Sequence, residues 1–200
     1  MGTGNKISTD EQISTNGLSP TLRRVLLDTA GASIDFSLKH GRQWEVTLRD
    51  YPPLLQELRA TFVTLQIAGR LRGCIGSLEP HRALVADVAY NAYAAAFLDH
   101  RFPPLTIVER GALDIHISLL SLPVLMIFNS EADLLRQIRP GVDGLILEDR
   151  GRRGTFLPSV WETLTNPCDF VTHLKLKAGL PSNHWSPTVR VSRYTTESFY

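Results

Sequence analysis

The spacing of apolar and polar positions changes several times along the chain, and each change predicts an element. After Ser19-Pro20, a good cap followed by a residue suited to the first helical position, Leu22, Val25, Leu26 and Thr29 recur three and four residues apart. This predicts a helix that Gly41 stops. Pro52-Pro53 opens a short helix through Arg59. Ala60–Gln66, ATFVTLQ, is rich in β-branched and aromatic residues, and Leu71–Leu78, LRGCIGSL, returns after the turn Ala68-Gly69-Arg70. The pair reads as a hairpin whose second arm is weakened by two glycines.

Arg82–Leu98 is the clearest helix, with Leu84, Val88, Ala92 and Ala95 at helical spacing and many alanines that permit close backbone approach. Leu113–Leu120 alternates, so Asp114, His116 and Ser118 share one strand face. Further on come a helix at Glu131–Arg139, a strand at Gly144–Glu148, the turn Asp149-Arg150-Gly151 and a glycine-containing segment at Gly154–Pro158. Helices at Ser159–Leu164 and Asp169–Ala178, and a final strand at Val189–Tyr194, complete the pattern. Strands and helices interleave irregularly and hairpin pairs are present, so the predicted class is α+β, a mixed or antiparallel sheet flanked by helices. Residues 1–16 are polar and aperiodic and read as a mobile tail before a single domain over 17–200.

Composition narrows the class. A chain of 200 residues with 43% hydrophobic and 20% charged residues is globular and long enough to bury about 70% of its extended surface. A net charge of +1 gives no global field for nucleic acid or an anionic membrane. The longest strongly apolar stretch, Ile117–Phe128, is too short and too broken to span a bilayer, and the N-terminus lacks an apolar signal region. Cys74 and Cys168 form no CxxC pair and no zinc spacing. Together these features predict a soluble cytoplasmic protein without a metal site. Most cations are arginines, clustered at Arg70, Arg72 and Arg82 and at Arg150, Arg152 and Arg153. Such forks suit carboxylate or phosphate, and equally they are solvated turns.

Candidate chemistry concentrates in Leu71-Arg72-Gly73-Cys74-Ile75-Gly76. The segment joins a cation, two flexible glycines and a thiol. Arg72 is a candidate anion-binding or thiolate-stabilising group, Gly73 and Gly76 allow close approach of a ligand, and Cys74 is a candidate nucleophile. On a regular strand Arg72, Cys74 and Gly76 share one face. The alternative reading makes Cys74 a packed core thiol. A nucleophile needs a base, for which His81, His100 and His116 are available.

This hexapeptide resembles the signature of the AMME-syndrome candidate-region family, the A component of the Amme-Memo-radical-SAM gene set. The similarity runs from about Leu18 to Phe199 and includes Ala60–Leu65, Asn91 with Ala94–Phe97, Asp99–Leu105, Pro140–Leu145, Arg153–Pro158 with Val160-Trp161, Ala178–Leu180, and His184-Trp185. The resemblance implies an α+β fold with a larger and a smaller lobe and a pocket near the hexapeptide. It implies an enzymatic or enzyme-accessory role, and company in the form of a Memo-like protein and a radical-SAM enzyme. Ser77 and Ser159 stand where the family usually has threonine and glutamine, and His116 where prokaryotic relatives often have an acid.

Outside the hexapeptide each candidate carries two readings. Asp99 and Arg101 either line a site with Arg72 or pair with each other at the helix end. Asn91 either contacts a ligand or bonds nearby backbone. Asp114, His116 and Ser118 are either a partial ligand set or a solvated face. The loop Glu148–Gly154 recognises an anion or is a plain turn. The candidate site is therefore Cys74 as the catalytic thiol, with Arg72, Gly73, Gly76, Asn91, Asp99 and Arg101 as binding residues. The alternative function is a non-catalytic module that docks a Memo-like partner.

Overall fold

The computed structural model describes residues 17–200, so the tail expected at 1–16 lies outside the described residues. The elements are α1 (Pro20–His40), β1 (Thr61–Ile67), β2 (Arg70–Gly76), α2 (Leu84–Phe97), α3 (Ile107–Arg110), β3 (Leu113–Leu120), β4 (Val124–Leu125), α4 (Glu131–Gln137), β5 (Gly144–Asp149), β6 (Arg152–Phe156), α5 (Pro167–Lys177), β7 (Arg190–Tyr194) and β8 (Thr196–Phe199). Two four-stranded sheets run in the orders β2-β1-β3-β8 and β4-β7-β5-β6, which makes the class α+β as expected. The chain divides into two compact units, one reaching Ile117 and taking back Phe199–Tyr200, the other Ser118–Ser198. The dividing points fall within β3 and β8. Among the described residues no helix is long and apolar enough to cross a membrane.

In the first unit α1 begins where Ser19 Oγ accepts from Leu22 N and ends at Gly41 in the left-handed region. Its buried face, Leu22, Leu26, Ala30 and Ile34, packs on α2, whose Val85, Val88, Ala92 and Ala95 are also buried, and α2 in turn packs on β1, where Val63 and Leu65 are buried. Small residues let the helices approach closely, and Ser33 Oγ donates to Ala89 O at 2.7 Å between them. The helix expected from Pro52 to Arg59 is instead a 3-10 turn, Pro53–Gln56, in which Leu55 N bonds Pro52 O.

The second unit packs Leu134 of α4, Leu145 and Leu147 of β5, Val191 of β7 and Phe170, Val171 and Leu174 of α5 around Trp161. Trp161 stacks on Phe170 with centroids 3.8 Å apart, and its Nε1 donates to Asp143 O. Trp185 packs beside Phe128 at 5.6 Å. Strands β5 and β6 form a hairpin through Arg150 and Gly151, both at positive φ. Periodicity did not anticipate α3, β4 or β8, which span four, two and four residues.

Candidate functional site

β2 is an edge strand of the first sheet. Leu65 pairs with Gly73 and Gln66 with Leu71, so Arg72 is the extra residue of a bulge. This corrects the regular-strand reading. Alternation stops at Arg72, while Cys74 and Gly76 remain opposite Thr64 and Phe62. Gly73 and Gly76 serve packing. A Cβ on Gly73 would stand 2.1 Å from Ala95 O, so its absence lets α2 lie against the strand. A Cβ on Gly76 would stand 2.3 Å from the Phe62 ring, which covers that position.

The Arg72 guanidinium turns to α3 and the loop after α2. Its Nε donates to Glu109 Oε1 at 2.7 Å, and its Nη2 donates to Glu109 Oε2 and to Pro103 O. Glu109 also closes the capping box of α3 with Thr106. The Arg72 pairing, followed by the Thr106 donors, pulls the Glu109 carboxyl down to about 2. Arg72 Nη1 is buried and makes no hydrogen bond among the described residues. Phe102 has both guanidiniums near its ring, Arg72 at 5.9 Å and Arg101 at 5.6 Å from the centroid.

Asp99 and Arg101 meet the hexapeptide at Cys74. Asp99 Oδ2 accepts from Cys74 N at 2.9 Å, and Arg101 Nη2 donates to Cys74 O at 3.1 Å. The two residues also pair with each other, Nη2 to Oδ2 at 2.6 Å and Nε to Oδ1 at 2.9 Å. Arg101, then Cys74 N–H, hold the buried Asp99 carboxyl well below the usual range. This side-chain pair thus occupies the donor and acceptor that an edge strand would otherwise offer to another strand. Cys74 itself is partly exposed. Its Sγ accepts from Thr64 Oγ1 at 3.2 Å, and the Arg101 charge is in electrostatic reach of the thiol.

The three candidate bases have other surroundings. His81 Nδ1 lies against Glu79 O, His100 is exposed in the turn after α2, and the His116 ring lies tilted beside Tyr200 with centroids 5.0 Å apart. Asn91 is buried in α2, where its Nδ2 donates to Thr61 O, Thr61 Oγ1 and Asp87 Oδ2. Asp87 also accepts from Thr61 N and Oγ1 and from Ser77 Oγ. Sequence reasoning passed over both carboxylates that organise this region, Asp87 and Glu109. Asp87 had one signal, its position four residues before Asn91 on the same helix face. Asp114 is exposed, and Ser118 bonds Ser198. Among the described residues no three His, Cys, Asp or Glu side chains gather as a metal site.

The fold and this site define an α+β protein with a thiol on a clamped edge strand. A model of the AMMECR1 family matches residues 27–199, and the chain belongs to that family. A protein of Methanothermobacter thermautotrophicus is 35% identical over 183 residues, spanning 88% of this chain and 93% of the relative. One from Methanococcus aeolicus is 38% identical over 156 residues, 74% of this chain and 76% of the relative. The crystal structure of an uncharacterized Pyrococcus horikoshii protein superposes with a TM-score of 0.74 at 34% identity, covering 87% of this chain and 88% of that one.

Proposed function

We propose that this chain is a cytoplasmic enzyme or enzyme-accessory protein of the Amme-Memo-radical-SAM type, with Cys74 as its reactive thiol. The observation that carries the reading is the fixation of Cys74. Both backbone polar groups of this residue are bonded by one buried carboxylate and one guanidinium, while the thiol stays partly exposed. Positioned thiols next to a fixed cation favour the thiolate, the form that attacks electrophiles. The cation expected at Arg72 is committed to Glu109, so the group beside the thiol is Arg101. Arg72, Gly73 and Gly76 shape the strand that presents Cys74, and Asn91 braces α2 against β1.

The test is alkylation of the native protein across pH, read at each cysteine by peptide mass spectrometry, with exposed Cys168 as the internal comparison. Cys74 is expected to react in the folded chain, and faster than Cys168. Reaction of Cys74 only after unfolding overturns the proposal.

A second reading, docking of a Memo-like protein or a radical-SAM enzyme, is favoured by exposed apolar side chains on the same elements. Ile107 and Val108 of α3 are 73% and 87% exposed, and Leu71 of β2 and Leu98 after α2 are exposed as well. Under this reading Val108→Asp abolishes co-purification with a Memo-like protein and Cys74→Ser does not.

A further inference from the structure

The second unit carries a polar cluster of its own. Asp149 ends β5 with its side chain buried, and three donors converge on it. They are Thr188 Oγ1, Ser186 Oγ at 3.1 Å and His184 Nε2 at 2.6 Å. An ionised carboxylate only accepts, so His184 Nε2 carries the proton and the ring is oriented by Asp149. That leaves Nδ1, which has no partner among the described residues.

His184 lines a cavity of about 560 Å³, a size that suits a small organic ligand. Arg150 and Arg152 share its wall. Neither guanidinium has a partner among the described residues, whereas neighbouring Arg153 pairs with Glu148 at 3.3 Å. Arg150 is held at φ 48°, a left-handed conformation that long side chains rarely adopt and that places it at the hairpin tip beside Gly151. Gly179, at φ 75°, lines the cavity beside Arg152. A Cβ there would stand 3.4 Å from Arg152 Nη1. Leu180 and Pro181 supply an apolar margin.

We propose that this cavity binds a phosphate monoester. A carboxylate saturates a single arginine fork, whereas a tetrahedral dianion offers oxygens to two forks and an imidazole. Arg150 and Arg152 take the phosphoryl oxygens. His184 Nδ1 donates to an oxygen of the dianion when the ring is protonated, and when the ring is neutral it accepts from the P–OH of the monoanion. The apolar margin receives the organic part of the ester. Asp149 is a positioning residue, since its oxygens are taken by the imidazole and two hydroxyls.

The full chain is titrated with inorganic phosphate and with phenyl phosphate at constant ionic strength, and the His184 ring resonances are followed by NMR. Both probes are expected to shift these signals saturably, phenyl phosphate at lower concentration. The Arg150→Gln/Arg152→Gln variant, which removes two partnerless surface cations, should weaken binding at least about tenfold with an unchanged melting temperature. A tighter response to inorganic phosphate than to phenyl phosphate overturns the ester assignment. Absence of saturation, an equal response to acetate, or equal binding by the double variant overturns the site.

Discussion

Glu109→Gln tests whether the hexapeptide arginine is held by a compensated charge. Arg72 keeps only 10% of its side chain exposed and Glu109 30%, and two hydrogen bonds join them. Removing one partner of a fully buried pair costs about 3–5 kcal/mol, and an exposed pair contributes about 0–1 kcal/mol. Each tenfold change in proton affinity is worth about 1.4 kcal/mol. The fall of the Glu109 carboxyl from 4.5 to about 2 therefore sets a ceiling of about 3 kcal/mol. Partial exposure of Glu109 screens this to about 2 kcal/mol. The glutamine keeps one acceptor for Thr106, so the loss is chiefly that of charge on a buried guanidinium. Urea unfolding of both proteins at pH 7 should show this difference. Because the folded carboxyl is more acidic than the unfolded one, the contribution is fully present above about pH 4.5. It fades as the pH falls toward 2, so the two unfolding curves converge there. A variant within about 0.5 kcal/mol of the parent at pH 7, or a gap that persists down to pH 2, refutes the reasoning.

Two further substitutions probe the frame of the site. Gly73→Ala sets a Cβ against Ala95 O and should destabilise by about 2 kcal/mol or more, whereas Gly111→Ala, with open space around it, should change the urea midpoint little. Equal effects of the two substitutions would contradict the close packing of α2 on β2. Asp87→Ala strands the buried donors of Thr61 and Asn91 and should cost about 3 kcal/mol, seen as a lower melting temperature, with Asp87→Asn intermediate. An unaltered melting temperature for Asp87→Ala would remove this network from the account of the fold.

Local pattern was enough for the elements that bury one regular face. Helix α1 with its Ser19 and Gly41 ends, α2, and the alternating β3 were all legible, because period and capping chemistry act within a few residues. Short elements such as α3, β4 and β8 were not, because so few residues carry no period. The hexapeptide was visible as chemistry, but its geometry was not. A bulge at Arg72 broke the face that a regular strand would have formed.

The sequence by itself therefore determined the α+β class, the family resemblance and the set of residue types at the candidate site. Tertiary structure alone decided which of them meet. Glu109 is 37 residues from Arg72, Asp99 is 25 from Cys74, and His184 is 35 from Asp149. Pairings of that kind depend on how strands register and helices pack, and no local spacing encodes them. A carboxylate buried by the fold must also find its donors wherever the fold brings them, because leaving it unpaired costs several kcal/mol, about as much as a small domain's whole margin of stability.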